Sequence, residues 1–358
     1  MERDSLTKTS RVVVKFGTGI LTNRSKQIDP RQIEQLVGQV AAQRQAGREV
    51  IVVSSGAVGA GMGVLNMAKR PTDLSDLQAC AAVGQSALMS TYSELFAKHN
   101  LQVAQVLLTH DDLEDKDRHL NARNTLVSLL AKGVIPIVNE NDAVSYTELK
   151  FGDNDWLASL VACLLPADLL IILTTVDGLV ENFGKKNPYT IPVVEKIDAN
   201  IQKLAGGTLS TTAVGGMEAK IRAAKMTART GIPLVIASGK KKRVIANVVD
   251  GKEEGTFFVP REGKLKGRKR WIAFFHHPKG SLWVDDGARF ALRDKGKSLL
   301  PPGVSQCVGE FSKGDVVCIC DLEGTEFSRG ISRFDAEEIR ARKLKGVEIV
   351  HRDDLVIL

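Results

Sequence analysis

The chain has 358 residues, 43% of them apolar and 25% charged, and 49 Lys and Arg against 42 Asp and Glu give a formal net charge of +7. That length exceeds the roughly 250 to 300 residues at which single cores stop growing, so one large and one small domain are expected. Ordinary apolar and charged fractions with few aromatics exclude a disordered or fibrous chain.

The first element, RVVVKFGTGIL at residues 11–21, is a β-branched run that ends on Lys15, with Gly17 and Gly19 around Thr18. Asp29 and Pro30 then offer a cap and first helical position for a segment in which Ile33, Leu36, Val37, Val40 and Ala41 recur at helix spacing. EVIVVSS (49–55) reads as a second strand, ending on Ser54 and Ser55 and leading into GAVGAGMG with Gly56, Gly59, Gly61 and Gly63. Further nearly continuous apolar runs follow at LQVAQVLLT (101–109), GVIPIVNEND (133–142), DLLIILTT (168–175) and IPLVIASG (232–239). Such runs fit parallel strands covered on both faces, and helical stretches between them give an α/β domain with a largely parallel sheet over residues 1–260.

Residues 261–277 carry a basic run, REGKLKGRKR, with no aromatics interleaved to stack bases, so a solvated linker is the better reading than a contact to an anionic polymer. From 278 to 358 the texture changes to short strands between Gly, Asp and Pro turns, apart from DAEEIRARKL, which predicts a compact β-barrel-like module. The odd number of cysteines, Cys80, Cys163, Cys307, Cys318 and Cys320, shows no paired metal-type spacing, and reduced core thiols are expected rather than a metal site. No apolar stretch approaches the roughly 18 residues of a membrane-spanning helix. The polar opening MERDSLTKTS lacks the hydrophobic core of a secretory signal, and a cytoplasmic location is expected.

Ligands of open α/β sheets gather outside the carboxyl ends of the strands, where Lys15, Ser54, Ser55, Asn139 and Thr174 would fall. Two glycine-bearing turns there would present backbone amides to an anion. Neither matches a P-loop or a G-x-G-x-x-G pattern, so each signal is weak alone. A third element, VGGMEAKI (214–221), places Gly215 and Gly216 before a helix that carries Lys220. Two lysines and two glycine turns around one crevice suit phosphoryl transfer, in which the protein positions substrates and offsets charge on phosphoryl oxygens. The polar stretch from Asn139 to Asp155 holds Glu140, Asn141, Asp142, Asp153 and Asn154, and points to a small zwitterion whose ammonium would pair with Asp142 or Asp153. No histidine or glutamate stands out as a base, which a carboxylate acceptor, already ionised near neutral pH, would not need.

In order along the chain, VVVKFGTGIL, VVSSGAVGAG, AAVGQSAL, LLTHDDLEDKDRHLNARNTL, VIPIVNENDAV, FGDNDWLAS and VGGMEAKI resemble the amino-acid kinase family, most closely its bacterial glutamate-phosphorylating members. SLLPPGVSQCVGEFSKGDVVCIC resembles a PUA domain. The resemblance implies an amino-acid-kinase-like three-layer sandwich with a mostly parallel sheet and a C-terminal PUA domain. It implies transfer of a phosphoryl group from ATP, with Mg2+, to the γ-carboxylate of L-glutamate in proline biosynthesis. By the same resemblance Lys15 and Lys220 contact the phosphates and Asp155 holds the lysines. Gly17, Thr18, Thr174, Thr175 and the stretch Val214, Gly215, Gly216, Met217, Glu218, Ala219, Lys220 cradle the nucleotide. Ser55, Asp142 and Asn154 bind glutamate, with Gly56, Ala57, Asn139 and Asp153 close by. No residue is assigned as a metal ligand. Proline as an inhibitor, a homo-oligomer and no membrane contact are also implied, and RNA contact through the PUA module stays open. Other acceptors used on this fold, N-acetylglutamate, aspartate, carbamate or a nucleoside monophosphate, remain as rivals, as does an RNA-binding main function. One departure is Thr175, where the family usually has Asp, with Asp177 following in TTVDGL.

Overall fold

The computed structural model describes the chain except residues 1, 24–26, 146–153, 185–186, 206–215, 262–266 and 276–277. It divides into two compact units, Met1–Gly263 and Lys264–Leu358.

In the first unit the strands are β1 (Arg11–Phe16), β2 (Glu49–Val53), β3 (Val103–Leu108), β4 (Ile135–Glu140), β5 (Leu169–Thr174), β6 (Val180–Glu181), β7 (Tyr189–Thr190), β8 (Val193–Val194), β9 (Leu234–Ser238) and β10 (Thr256–Phe258). Eight of them form one sheet in the order β3-β4-β2-β1-β5-β9-β10-β8, parallel throughout except where β10 runs against β9. The β6 and β7 pair stands apart as a small antiparallel ribbon. All described positions of β4 and β9 are buried, as continuous apolar runs require of central strands, whereas edge strand β3 is mostly half-buried.

Side chains alternate along β1, so Val12, Val14 and Phe16 enter one core with Leu36, Val37, Val40, Leu88 and Phe96 from the helices Pro30–Gln45 and Leu74–Ala97. Val13 and Lys15 therefore face the opposite layer. The helix Pro30–Gln45 starts as the sequence predicts: the Asp29 carboxylate accepts from the amides of Arg31 and Gln32, and Ile33, Leu36, Val37, Val40 and Ala41 are buried.

The glycine-rich stretch after β2 differs from expectation. Gly56, at φ +95°, makes the turn, but Gly59, Gly61 and Gly63 lie inside a helix, Ala57–Val64. A Cβ on Gly61 would overlap the Cys80 carbonyl, and one on Gly84 would overlap the Ala57 carbonyl. These two glycines let the helices Ala57–Val64 and Leu74–Ala97 touch backbone to backbone. They serve packing, and Gly56 alone of the four serves the turn.

The second unit is a five-stranded sheet of β11 (Gly280–Val284), β12 (Val304–Gly309), β13 (Val316–Cys320), β14 (Glu326–Ile331) and β15 (Leu355–Ile357), ordered β12-β11-β13-β14-β15 and antiparallel except for β11 with β13. Two helices appear where only turns or linker were expected. Asp285 caps Asp286–Arg293 by accepting from the Ala288 amide at 2.7 Å, which turns an Asp-Asp-Gly turn signal into a helix start. Gly267–Phe274 lies within the segment read as basic linker, and its Ile272 and Ala273 are buried with Val316 and Val356. Burial on that scale gives the segment a packed apolar side that its net charge conceals. Cys80, Cys163 and Cys320 are buried, while Cys307 and Cys318 are half-buried, and none is in a disulfide.

Candidate functional site

Lys15 sits one residue from the end of β1, opposite Val53 of β2 and Ile172 of β5, so the sheet itself fixes its Cα. Its neighbour across the layer is the helix Asn154–Leu164, whose second residue is Asp155. The helix Met217–Arg229, capped at Gly216, supplies Lys220 from its first turn. Asp155 Oδ1 lies 2.7 Å from Lys15 Nζ and Oδ2 lies 2.9 Å from Lys220 Nζ. The carboxylate is 0% exposed and each lysine 6%.

Burial by itself would raise the Asp155 pKa. The charges of Lys15 and Lys220, together with the hydrogen bonds they donate, more than reverse this and hold it below the ordinary carboxylate range. Two ammoniums held 2.7 and 2.9 Å from one carboxylate in a nearly dry setting are an arrangement that favours an incoming anion.

The residue before Asp155 builds a second cluster. Asn154 Nδ2 donates to the Ser54 carbonyl at 2.8 Å, to Ser55 Oγ at 3.0 Å and to Asn139 Oδ1 at 2.9 Å. Asn139 Nδ2 donates to Gln85 Oε1 at 2.9 Å, and Gln85 Nε2 donates to Gln105 Oε1 at 3.1 Å. Ser54 Oγ shares a 2.8 Å hydrogen bond with Tyr92 OH, and burial pushes that phenol well above its usual range despite the bond. Beside this chain is a cavity of about 480 Å3 lined by Ala57, Gln85, Gln105, Leu107, Glu140 and Asp142 among others. That volume suits an amino acid with some water.

Asp142 has its Oδ1 buried with no hydrogen-bond partner. Burial raises its pKa above the ordinary carboxylate range, the nearby Glu140 carboxylate adds to the rise, and Arg70 partly offsets it. A cation placed there would reverse the shift. Asn154 Oδ1 is likewise a buried acceptor without a partner.

The structure thus brings Lys15, Asp155 and Lys220 into one ion-pair cluster and Ser55, Asn139 and Asn154 into one hydrogen-bonded cluster. Gly56 and Ala57 lie at the start of the helix after Ser55. Gly17 is placed differently from its expected role: its amide donates to the Leu173 carbonyl at 3.1 Å and is therefore engaged within the sheet. A Cβ there would stand 3.2 Å from that carbonyl and 3.6 Å from Lys15 Nζ, so Gly17 keeps space beside the lysine. Thr18 opens the short helix Thr18–Leu21, Thr174 ends β5, and Thr175 is exposed beside Gly19. Asp177 pairs with Lys241 at 3.1 Å. Met217, Glu218 and Ala219 form the first turn of the Lys220 helix. Asp153, Val214 and Gly215 lie outside the described residues.

Gln85, Gln105 and Tyr92 were not singled out from sequence. Gln85 falls inside AAVGQSAL as its one amide side chain, and Gln105 falls inside LQVAQVLLT together with Gln102; an amide within an apolar run is the signal that could have marked them. Among the described residues, no three His, Cys, Asp or Glu side chains gather as a metal site.

The model of the amino acid kinase family matches residues 10–238, and that of the PUA domain matches residues 280–352. Glutamate 5-kinase from Pelobacter propionicus is 43% identical, with 100% of both chains covered. The enzyme of the same name from Methylococcus capsulatus is 44% identical, with 99% of both covered. Among solved structures, carbamate kinase from Giardia lamblia bound to AMP-PNP superposes with a TM-score of 0.51 at 19% identity, covering 71% of this chain and 99% of the other, a likeness of fold.

Proposed function

The chain belongs to the amino acid kinase family, and from that premise we propose that Lys15 and Lys220 hold the phosphoryl group in flight while Asn154, Ser55 and Asp142 hold its acceptor. The reaction is ATP-dependent phosphorylation of L-glutamate, a step of proline biosynthesis. The acceptor is the γ-carboxylate and the product is L-glutamyl 5-phosphate.

A side-chain carboxylate, with a reference pKa of about 4.3, is ionised at neutral pH and attacks the terminal phosphorus in line without a base. Lys15 and Lys220 donate to phosphoryl oxygens as negative charge spreads over them. Asp155 sets the spacing of the two ammoniums by taking one on each oxygen. Because the lysines are already fixed and desolvated, little reorganisation is needed at the moment of transfer. The buried Lys15–Asp155–Lys220 cluster, in which one carboxylate holds an ammonium on each oxygen, is the observation that carries this reading.

Magnesium, bound with ATP, offsets charge on the phosphate oxygens. The groups this chain offers at the phosphoryl end are ammonium donors, which fits a cation held mainly by phosphate and water. On the acceptor side, the orphaned Asp142 carboxylate oxygen favours a free α-ammonium over an N-acetylated amine. Proline, whose secondary ammonium and carboxylate share that chemistry, is the inhibitor we assign to the same cavity. A cytoplasmic site of action, homo-oligomeric assembly and RNA contact through the C-terminal unit complete the reading as family-based expectations.

Incubation with MgATP, L-glutamate and hydroxylamine tests the core of it. Glutamyl hydroxamate should accumulate in step with ADP, and N-acetylglutamate should be a poor acceptor. ADP release without hydroxamate, or preference for the acetylated acid, would overturn it. Proline titrated at several glutamate concentrations should raise the apparent KM; an unchanged rate would remove proline from the cavity.

A further inference from the structure

The amide chain that runs from Gln105 through Gln85 and Asn139 to Asn154 has a fixed polarity, and that polarity bears on how the acceptor is recognised. Amide oxygen and nitrogen atoms are easily interchanged in assigning such chains. Here two backbone groups remove the ambiguity. The Ser54 carbonyl accepts only, so the Asn154 atom 2.8 Å away is the nitrogen. The Glu140 amide donates only, so the Asn139 atom 3.0 Å away is the oxygen. Asn139 Nδ2 must then point at Gln85 Oε1, which leaves Gln85 Nε2 for Gln105 Oε1. Each amide nitrogen points toward β3, and each carbonyl oxygen points along the chain toward Asn154.

The end of the chain is Asn154 Oδ1. It belongs to a side chain 2% exposed, and it is a buried acceptor with no partner. All three donor contacts of that side chain are made by Nδ2. A buried acceptor left unpaired costs stability, and a ligand donor that meets it recovers the loss as affinity.

We propose that Gln85 is a positioning residue for recognition of the substrate's α-ammonium: by holding Asn139 it keeps Asn154 Nδ2 engaged and Asn154 Oδ1 as the open acceptor at the end of the amide chain. The inference rests on the reading that Asn154 touches the acceptor. Gln85, 9% exposed on the helix Leu74–Ala97, acts through Asn139 and Asn154. Its helix is held in place by the Gly61 and Gly84 contacts, so the Gln85 carbonyl reaches β4 from a backbone with little freedom to shift.

The test compares L-glutamate with glutarate, which has both carboxylates and no ammonium, in the full-length protein with MgATP. In the wild type, kcat/KM for glutamate should greatly exceed that for glutarate. Gln85→Met keeps length and volume but removes both hydrogen bonds. It should cut kcat/KM for glutamate about tenfold, equivalent to about 1.4 kcal/mol, through KM, while glutarate and ATP constants stay within about twofold. Gln85→Glu keeps the acceptor toward Asn139 and should retain more of the discrimination than Gln85→Met. Equal losses for glutamate and glutarate would show loosening of the site and overturn the proposal, as would no loss at all. A parallel Asn154→Ala variant separates the two levels. If it leaves the glutamate KM unchanged, the assignment of Asn154 to the acceptor fails; if it raises that KM while Gln85→Met does not, only the relay fails.

Discussion

Asn154 and Asp155 are neighbours at the start of one helix, yet they organise opposite kinds of site. Asp155 gathers full charges, Lys15 at 2.7 Å and Lys220 at 2.9 Å, in a setting without exposed carboxylate surface. Asn154 gathers neutral amides and hydroxyls, linked back to Gln105 on β3. The difference matches what the proposed function asks of each end. A phosphoryl group in transfer redistributes negative charge, and fixed cations answer that change most strongly. The acceptor's ammonium and α-carboxylate do not change charge during the reaction, so directional hydrogen bonds suffice to hold and select them. In the proposed function consecutive residues thus divide catalysis from recognition, and variants on the two sides should separate kcat from KM.

The largest effect is expected at Asp155. Asp155→Asn leaves two ammoniums buried side by side without their counter-charge. Breaking a buried ion pair from one side costs about 3 to 5 kcal/mol of stability, and misplaced lysines should lower turnover by about a thousandfold. Denaturant unfolding and the hydroxamate assay check both. If folding and turnover stay near wild type, the carboxylate does not set the geometry of the phosphoryl end.

Next comes Lys220→Ala, which should cut kcat by about a hundredfold or more with the glutamate KM within about threefold. An equal loss in glutamate affinity would erase the proposed division, because it would place Lys220 on the acceptor side. Thermal unfolding in parallel tells a folding defect from a catalytic one.

The charged half of this comparison was legible in the sequence; of the neutral half Ser55, Asn139 and Asn154 were named, while their partners Gln85, Gln105 and Tyr92 were not. Lys15 and Lys220 stand out because an ammonium at a strand end or in the first turn after glycines is costly to bury without an anion, and Asp155 lies in a run dense with carboxylates and amides. The parallel order of apolar runs and the Asp29 cap were equally plain, since they are local patterns. Gln85 and Gln105 were hidden because one amide in an apolar run reads the same whether it faces solvent or another amide from a distant strand. Gly61 misled for a related reason: helix contact and loop turn use the same residue, and the partner that distinguishes them, the Cys80 carbonyl, comes from a separate helix. The buried side of the helix Gly267–Phe274 was masked by its flanking charges.

The pH dependence of binding should be smaller, and it belongs to the acceptor side alone. Asp142 must be ionised to hold an ammonium. Burial and the Glu140 carboxylate raise its pKa in the free protein, so the protonated form persists to pH values above the ordinary carboxylate range. The glutamate KM should be flat above that raised pKa and should rise about tenfold per pH unit below it. For the free protein the sign is opposite: a carboxylate with a raised pKa favours folding when protonated, so its contribution is lost as pH rises through that pKa, and bound ammonium restores it. Asp142→Asn should flatten the KM profile, leaving the pH dependence of kcat in place. A profile unchanged by the substitution would assign the ionisation elsewhere.

The smallest effect is expected at Ser55, whose hydroxyl touches Asn154 beside the junction of the two halves. Ser55 Oγ is one of three acceptors around Asn154 Nδ2, and the other two, the Ser54 carbonyl and Asn139 Oδ1, remain in Ser55→Ala. Loss of one net hydrogen bond is worth about 0.5 to 1.5 kcal/mol, so the glutamate KM should rise by about two- to tenfold with kcat nearly constant. Because Asn154 stays anchored at two points, glutarate should be affected far less than glutamate. A drop in kcat with unchanged KM would instead connect Ser55 to the phosphoryl end through the peptide between Asn154 and Asp155, and the separation of recognition from catalysis at those adjacent residues would fail at its narrowest place.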